Sequence, residues 1–507
     1  MNNDLGIIKR KLASNAFYLF LDYFAISIFS LFFWSSAGKF LSPSQYGIAS
    51  ISINLVSMLS TVAVLGLSTT LVKLLPEYLE RKQINKSKGL IKFSLLASLF
   101  SSLLISSLFI VSFPVLYSTL NMPYHIFLLL PIIIILASLS QIVLSILVGY
   151  QNMRGMFFTD LTSHASKLAF SILLMILGFN YLGPVAGFGI GVFLVLLFRF
   201  RLIPKLSSNT RSVDKKRILF DYALPSFIIS LSTILLTNGQ ITILGLIKGA
   251  EVTGIFSVAF ILSNILIIIF RVMSRSLFPI TSQLSARNNP NETQGYFINL
   301  VLRYSLFVTV PLLLFFFLFS DRLILIFASK EYLSASEFLP VLSIASVLYG
   351  VSIVLNSSVY AIGKPKIQRN IAIISSTAFI LSSVSLTYLF SAKGMMYSYL
   401  ISAIILVSFG VYNINKYLKI HLPIKSLSKI IISGLVSFVL LYFFSLIARG
   451  LVEGILFTAI SSLIYLAILI ILKFVTSEDV KVLQFVVNKS PLFKRQFNYI
   501  INKIPKS

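Results

Sequence analysis

The chain is 507 residues long, 57% hydrophobic and only 11% charged, with a formal net charge of +27 and a mean hydropathy of +0.94. Soluble domains carry about 45–50% apolar and about 25% charged residues, so a soluble globular protein is excluded, and with it the nucleic-acid reading so basic a chain would otherwise invite. There is no cysteine, which rules out disulfides, thiolate metal sites and cysteine nucleophiles, and the three histidines (His125, His164, His421) are too scattered for a His-rich metal site.

Apolar runs of about 20 residues recur from end to end, the mark of an all-α polytopic membrane protein rather than a barrel of short alternating strands. In chain order the predicted spans are 13–37, 46–72, 93–117, 125–149, 157–178, 184–203, 219–247, 254–272, 298–319, 336–361, 371–390, 395–413, 430–448 and 454–474, fourteen in all. The first is too long for the apolar region of a cleavable signal. With the N-terminus inside, 35 of the 42 Lys and Arg fall in or beside inside segments, six fall outside, and Lys167 lies within a span. That asymmetry obeys the positive-inside rule and puts both termini on the cytoplasmic side of a cell membrane, where basic loops meet anionic lipid headgroups. Outside loops are short, the longest being 320–335. The basic tail, 476–507, has a weak amphipathic pattern suited to the inner surface. Trp34, the sole tryptophan, sits near the outer end of span 1, as an interfacial aromatic does.

The halves of the chain resemble each other. Gln45-Tyr46-Gly47-Ile48, with Ser50 and Ser57, aligns with Val252-Thr253-Gly254-Ile255, with Ser257 and Asn264, at an offset of 207. Pro76 and Pro279 close spans 2 and 8, and Pro131 and Pro340 stand near the starts of spans 4 and 10. Six spans per half is an even number, so the repeat is parallel, with its axis along the membrane normal. The expected organisation is two six-helix pseudo-repeated lobes, 1–205 and 206–425, two extra C-terminal helices in 426–475, and the tail.

Polarity inside the spans locates a candidate site. Asp160, His164 and Lys167 in span 5 are spaced i, i+4, i+7 and share one helix face. Lys167 lies roughly 15 Å into the span, where a charge is costly unless it meets water or a partner. Two readings stand: a functional site facing an internal cavity, or a structural Asp160–Lys167 ion pair. Asp22 in span 1 is the second deep ionisable group; it either carries a coupling proton or cation, or pairs with Lys167. Asp160 and His164 are rival proton carriers. Polar faces recur on span 2 (Asn54, Ser57), span 7 (Thr237, Gln240) and span 8 (Asn264), which outlines a hydrated cavity between the lobes, although such stripes also serve helix packing. Arg271 and Arg275 stand at its cytoplasmic mouth unless they are plain topology anchors. With Lys167 they suit an anionic head group, best a phosphate or diphosphate. No catalytic set, metal site or cofactor motif appears, and the outer loops are too short for a polymerase or ligase site, so no enzyme is expected.

The run Gly38-Lys39-Phe40-Leu41-Ser42-Pro43-Ser44-Gln45-Tyr46-Gly47, then Gly66-Leu67-Ser68, Leu74-Leu75-Pro76-Glu77, the repeat at 251–257 and the loop 332–342 resemble the polysaccharide transporter branch of the multidrug/oligosaccharidyl-lipid/polysaccharide exporter superfamily, the Wzx-type oligosaccharide flippases. The resemblance implies a pair of six-helix lobes around a cationic cavity. It implies flipping of a polyprenyl-(pyro)phosphate-linked oligosaccharide from the inner to the outer leaflet, with glycan assembly enzymes as partners. The drug/cation antiporters of the same superfamily are the alternative. They would be favoured if Asp22 or Asp160 bound a cation and Lys167 were dispensable.

Overall fold

The computed structural model describes residues 2–120, 122–203, 213–284, 290–361, 365–418, 423–448 and 450–474. The lobe boundary read at 205/206 and the tail 476–507 lie outside them. The described residues are helical throughout, without a strand. In order the helices are α1 (Asn2–Phe40), α2 (Pro43–Val64), α3 (Leu67–Glu80), α4 (Ile84–Val111), α5 (Phe113–Leu120), α6 (Tyr124–Gly149), α7 (Met153–Ile176), α8 (Leu182–Leu202), α9 (Lys215–Arg217), which runs through the π-helical turn Ile218–Ala223 into α10 (Leu224–Thr237), α11 (Gly239–Ser263), α12 (Ile265–Leu284), α13 (Pro290–Leu318), α14 (Ser320–Phe327), the 3-10 segment Lys330–Glu337, α15 (Leu339–Ala361), α16 (Pro365–Leu418), α17 (Ile424–Ile447) and α18 (Leu451–Ile471).

The chain is a polytopic helical membrane protein: twelve of these helical stretches are long and apolar enough to cross a bilayer. Two facts relate them to the fourteen predicted passes. The longest stretch, Lys366–Tyr417, breaks at Ser391 (φ 56°, ψ −135°) and holds two passes. Meanwhile α7 is absent from the twelve, because Asp160, His164 and Lys167 dilute its apolar content. Spans 7 and 8 are likewise divided at Gly249 (φ 81°), inside α11.

Local chemistry sets the breaks. Ser42 caps α2 in a capping box with Gln45, and Pro43 occupies the first turn, where its missing N–H costs nothing. The α2–α3 kink is made by Leu65 and Gly66 in the left-handed region (φ 53° and 72°). Gly66 is needed there twice over, since a Cβ would also stand 2.2 Å from the Ala223 carbonyl oxygen.

Glycine governs two helix contacts. Gly183, Gly187 and Gly191, one turn apart on α8, face α7; a Cβ at each would come within 2.6, 2.3 and 2.4 Å of Met175, Ser171 and Lys167. Bare backbone lets α8 lie directly on α7, the usual device of membrane helices. At the other contact, α2 meets α11: a Cβ on Gly47 would stand 1.8 Å from the Ala250 oxygen, and one on Gly254 would stand 1.9 Å from the Pro43 oxygen.

Two compact units divide the chain. One comprises Met1–Val301 and Ser320–Ile420 and contains both cavities described below. The other comprises Leu302–Phe319 and His421–Ser507. Within it, Phe319, Leu441 and Ala448 form one apolar cluster and Ile430, Tyr465, Leu469 and Phe474 another, and the Arg303 guanidinium donates to the Phe474 carbonyl at 2.7 Å.

Candidate functional site

A cavity of about 770 Å³ lies among α1, α2, α10, α11, α12 and α15, within the size range of small-molecule sites. Its polar wall combines Asn54, Thr233, Thr237, Asn238, Asn264 and Ser357; its aromatic wall combines Tyr23, Trp34, Phe260 and Tyr349. Among the described residues, Arg271 and Arg275 on α12 are the only charged side chains lining it, and no acid does. Asn238 Nδ2 donates to Asn54 Oδ1 at 2.7 Å, bridging α10 to α2, and Ser274 and Ser357 hydroxyls meet at 2.6 Å. The Arg275 guanidinium sits over the Tyr23 ring, 3.8 Å from its centroid.

Several contacts tie the end of α1 that carries Trp34 to α14 and the 3-10 segment. Lys39 Nζ donates to the Leu325 and Ala328 carbonyls at 2.6 and 2.7 Å, the free C-terminal end of α14. Ser35 Oγ donates to Phe327 O at 2.9 Å, and Ser329 N to Gly38 O at 2.9 Å. Tyr332 OH donates to Leu41 O at 2.9 Å. Burial, with the neighbouring Glu331 carboxylate adding to it, pushes the Tyr332 ionisation well above the tyrosine range, so the hydroxyl remains a donor. The Trp34, Tyr46 and Tyr332 rings follow one another at centroid spacings of 5.3 and 5.6 Å. Trp34 is therefore buried, 9% exposed, in the cavity wall, rather than interfacial as its sequence position suggested; the α14 loop folds over that end of α1.

A second pocket, of about 160 Å³, lies among α2, α6, α7 and α8 and holds Asp160, His164, Lys167 and Ser57 together with Gln141 and Arg199. Asp160 forms a buried ion pair with Arg199. Arg199 also donates to the Ser140 carbonyl and hydroxyl, at 3.2 and 2.6 Å, and to Thr159 Oγ1 at 3.4 Å. Lys167 Nζ lies 4.5 Å from the centroid of the Phe188 ring. Of the two readings of this face, the Asp160–Lys167 ion pair does not form; Asp160 pairs with Arg199 instead. Arg199, near the C-terminal end of α8, is 5% exposed. Helical side chains lean toward the helix N-terminus, so an arginine at the end of α8 reaches back into the bundle.

Asp22 on α1 is 2% exposed, and its Oδ1 has no hydrogen-bond partner. Its carboxyl is close enough to interact with that of Asp160, with Arg275 and Arg199 as the cations acting on it; Lys167 is not among them. The predicted residues are thus distributed over two sites. Arg271, Arg275, Asn54, Thr237 and Asn264 line the large cavity, whereas Lys167, Asp160, His164 and Ser57 line the small pocket. Gln240 lines neither: it is fully buried at the start of α11 and donates to Leu236 O at 2.8 Å, one turn back at the end of α10. The sequence reading missed Tyr23, Asn238, Tyr349 and Arg199. Only Asn238, next to Thr237 in the polar face of span 7, carried a visible signal.

Residues 38–337 match the family described as polysaccharide biosynthesis protein. Among curated relatives, the "probable low-salt glycan biosynthesis flippase Agl15" of Haloferax volcanii is 22% identical over 194 residues, covering 38% of this chain and 41% of the relative, so the match spans less than half of that protein. An uncharacterized membrane protein of Methanocaldococcus jannaschii is 22% identical over 406 residues, 76% of this chain and 80% of its own. Among solved structures, the lipid II flippase MurJ in an inward closed conformation superposes with a TM-score of 0.66 at 20% identity, covering 89% of this chain and 98% of MurJ. An inward-facing multidrug resistance MATE family transporter superposes at 0.64 with 15% identity, over 78% and 95%. The large cavity therefore sits in a fold shared with these transporters, and the chain belongs to the polysaccharide biosynthesis protein family.

Proposed function

We propose that the protein flips a polyprenyl-(pyro)phosphate-linked oligosaccharide from the cytoplasmic to the outer leaflet of the cell membrane, for surface polysaccharide or glycoprotein synthesis, by alternating access of two lobes, 1–205 and 206–425. One observation carries this reading: the large cavity pairs two arginines with walls that are otherwise neutral, polar and aromatic. Guanidinium forks suit phosphate oxygens, and hydroxyl, amide and aromatic groups suit sugar rings. The lipid tail stays in the bilayer. The basic side is the cytoplasmic one, with both termini there, and the short-loop side faces out. Glycan assembly enzymes would supply and consume the substrate.

Arg271 and Arg275 hold the head group in this scheme. Lys167 serves as a counter-charge to Asp160, with which it lines the smaller pocket. Neighbouring buried acids are where a coupling proton or cation would bind, which makes Asp22 and Asp160, with His164 in the same pocket as Asp160, the candidate ion-coupling groups. That pair is also what favours the second reading, a drug/cation antiporter. Against it stands the large cavity, which offers an organic cation no carboxylate.

The test uses purified protein in liposomes carrying a prenyl-diphosphate-linked sugar, with an impermeant lectin reporting which leaflet holds it. Wild type equilibrates the leaflets. Arg271→Ala/Arg275→Ala does not, and Arg271→Lys/Arg275→Lys retains part of the activity. Equal activity in all three would refute the head-group assignment.

A further inference from the structure

A recess of about 200 Å³ opens off the large cavity, between α10, α15 and α16; the two share Thr233, Tyr349, Ile353 and Ser357. At about 30 Å³ per water it has room for roughly seven waters, enough for one hexose-sized group but not two. Among the described residues no charged side chain lines it, in contrast with the cavity beside it. Ser232, Ser352, Asn356 and Gln368 supply polar atoms, and Tyr349 supplies an aromatic wall. Asn356 is 8% exposed, and its Oδ1 accepts no hydrogen bond. An unpaired buried acceptor costs about 1–3 kcal/mol, and a donor from a ligand would relieve that cost. Arg271, on the cavity wall, lies close enough to act electrostatically on the Tyr349 hydroxyl. The phosphate-type and sugar-type surfaces are therefore adjacent, with Tyr349 between them.

We propose that this recess is a subsite for a single neutral sugar, the residue joined to the carrier phosphate, with Asn356 Oδ1 accepting from a sugar hydroxyl and Tyr349 stacking against the ring. The assignment rests on the head-group reading of Arg271 and Arg275 and adds a selectivity: the first sugar is uncharged, because no cation in the recess offsets an acid. A pocket built around hydrogen bonds to hydroxyls discriminates strongly against ligands that lack them.

Trp34 is the only tryptophan and lines the cavity, so its fluorescence reports binding to the purified full-length protein. The probes are geranylgeranyl diphosphate alone and the same lipid carrying one glucose, galactose, mannose or N-acetylglucosamine. Wild type binds at least one sugar-bearing probe about tenfold tighter than the bare diphosphate. Asn356→Leu and Ala372→Phe, which remove the acceptor and fill the recess, abolish that advantage. They leave bare diphosphate binding within about twofold, which also shows that the variants are folded. No sugar advantage in wild type, an advantage surviving both variants, or equal weakening of both probe types would overturn the subsite. Undiminished binding of the bare diphosphate by Arg271→Ala/Arg275→Ala would instead remove the head-group reading, and the subsite with it.

Discussion

The hydroxyls of Ser50 and Ser257, 207 residues apart in sequence, lie 3.1 Å apart in the buried contact between α2 and α11. The offset is that of the sequence repeat, so the two serines are each other's counterparts. Around them the contact maps onto itself. Gly47 meets Ala250, the counterpart of Pro43, while Gly254, the counterpart of Gly47, meets Pro43. A pair of equivalent residues touching each other marks a local two-fold axis, and the parallel repeat read from the sequence requires an axis of this kind.

Because the chain has no cysteine of its own, Ser50→Cys/Ser257→Cys gives a clean cross-link at that axis. The sulfurs fall within bonding reach after small side-chain adjustment. Oxidation joins α2 to α11, arrests transport, and reduction restores it. Transport by the fully cross-linked protein would mean that this contact does not open during the cycle.

Glycine substitutions discriminate close contacts from open space. Gly47→Ala and Gly254→Ala force a methyl group onto a backbone oxygen and lower stability by about 1–3 kcal/mol or more, as overpacking does. Gly239→Ala, whose Cβ finds its nearest neighbour at 3.6 Å, is neutral or stabilising by up to about 1 kcal/mol. Thermal unfolding of the purified variants separates the two classes.

The Asp160–Arg199 pair obeys the rule for buried ions. Arg199→Leu alone strands a buried carboxylate and costs about 3–5 kcal/mol, while Asp160→Leu/Arg199→Met costs less than either single change. A double-mutant cycle on unfolding reads the coupling. Additive losses would show that the pair contributes nothing as a pair.

Tyr332 carries a pH signature. Its ionisation is raised in the folded state, so its contribution is complete below about pH 10, the ordinary tyrosine value, and fades as pH rises through the raised one. Tyr332→Phe is therefore less stable than wild type near neutrality by about 0.5–1.5 kcal/mol, the size of one hydrogen bond. The difference narrows in alkali. A gap constant up to pH 12 would contradict the buried-donor assignment.

How much of this was legible in the sequence varies with the kind of residue. Spans were visible because lipid demands long apolar helices, whereas the kink at Gly66 fell inside the predicted span 46–72, because nothing in an apolar run marks where two helices meet. The shared face of Asp160, His164 and Lys167 was visible because helical spacing alone sets it, and all three do line one pocket. The neighbour that face meets is set by interhelical contact, which one sequence does not encode locally. Hence Arg199 went unremarked, Trp34 was read as interfacial, and Gln240 as cavity lining although its amide bonds back to the end of α10.

The most direct measurement is the leaflet distribution of lipid-linked glycan in sealed source cells lacking this gene, read with a membrane-impermeant probe. The account predicts accumulation on the cytoplasmic side, reversed by wild type and not by Arg271→Ala/Arg275→Ala. A deletion strain with wild-type sidedness and no compensating flippase, or full rescue by the double arginine variant, would contradict it.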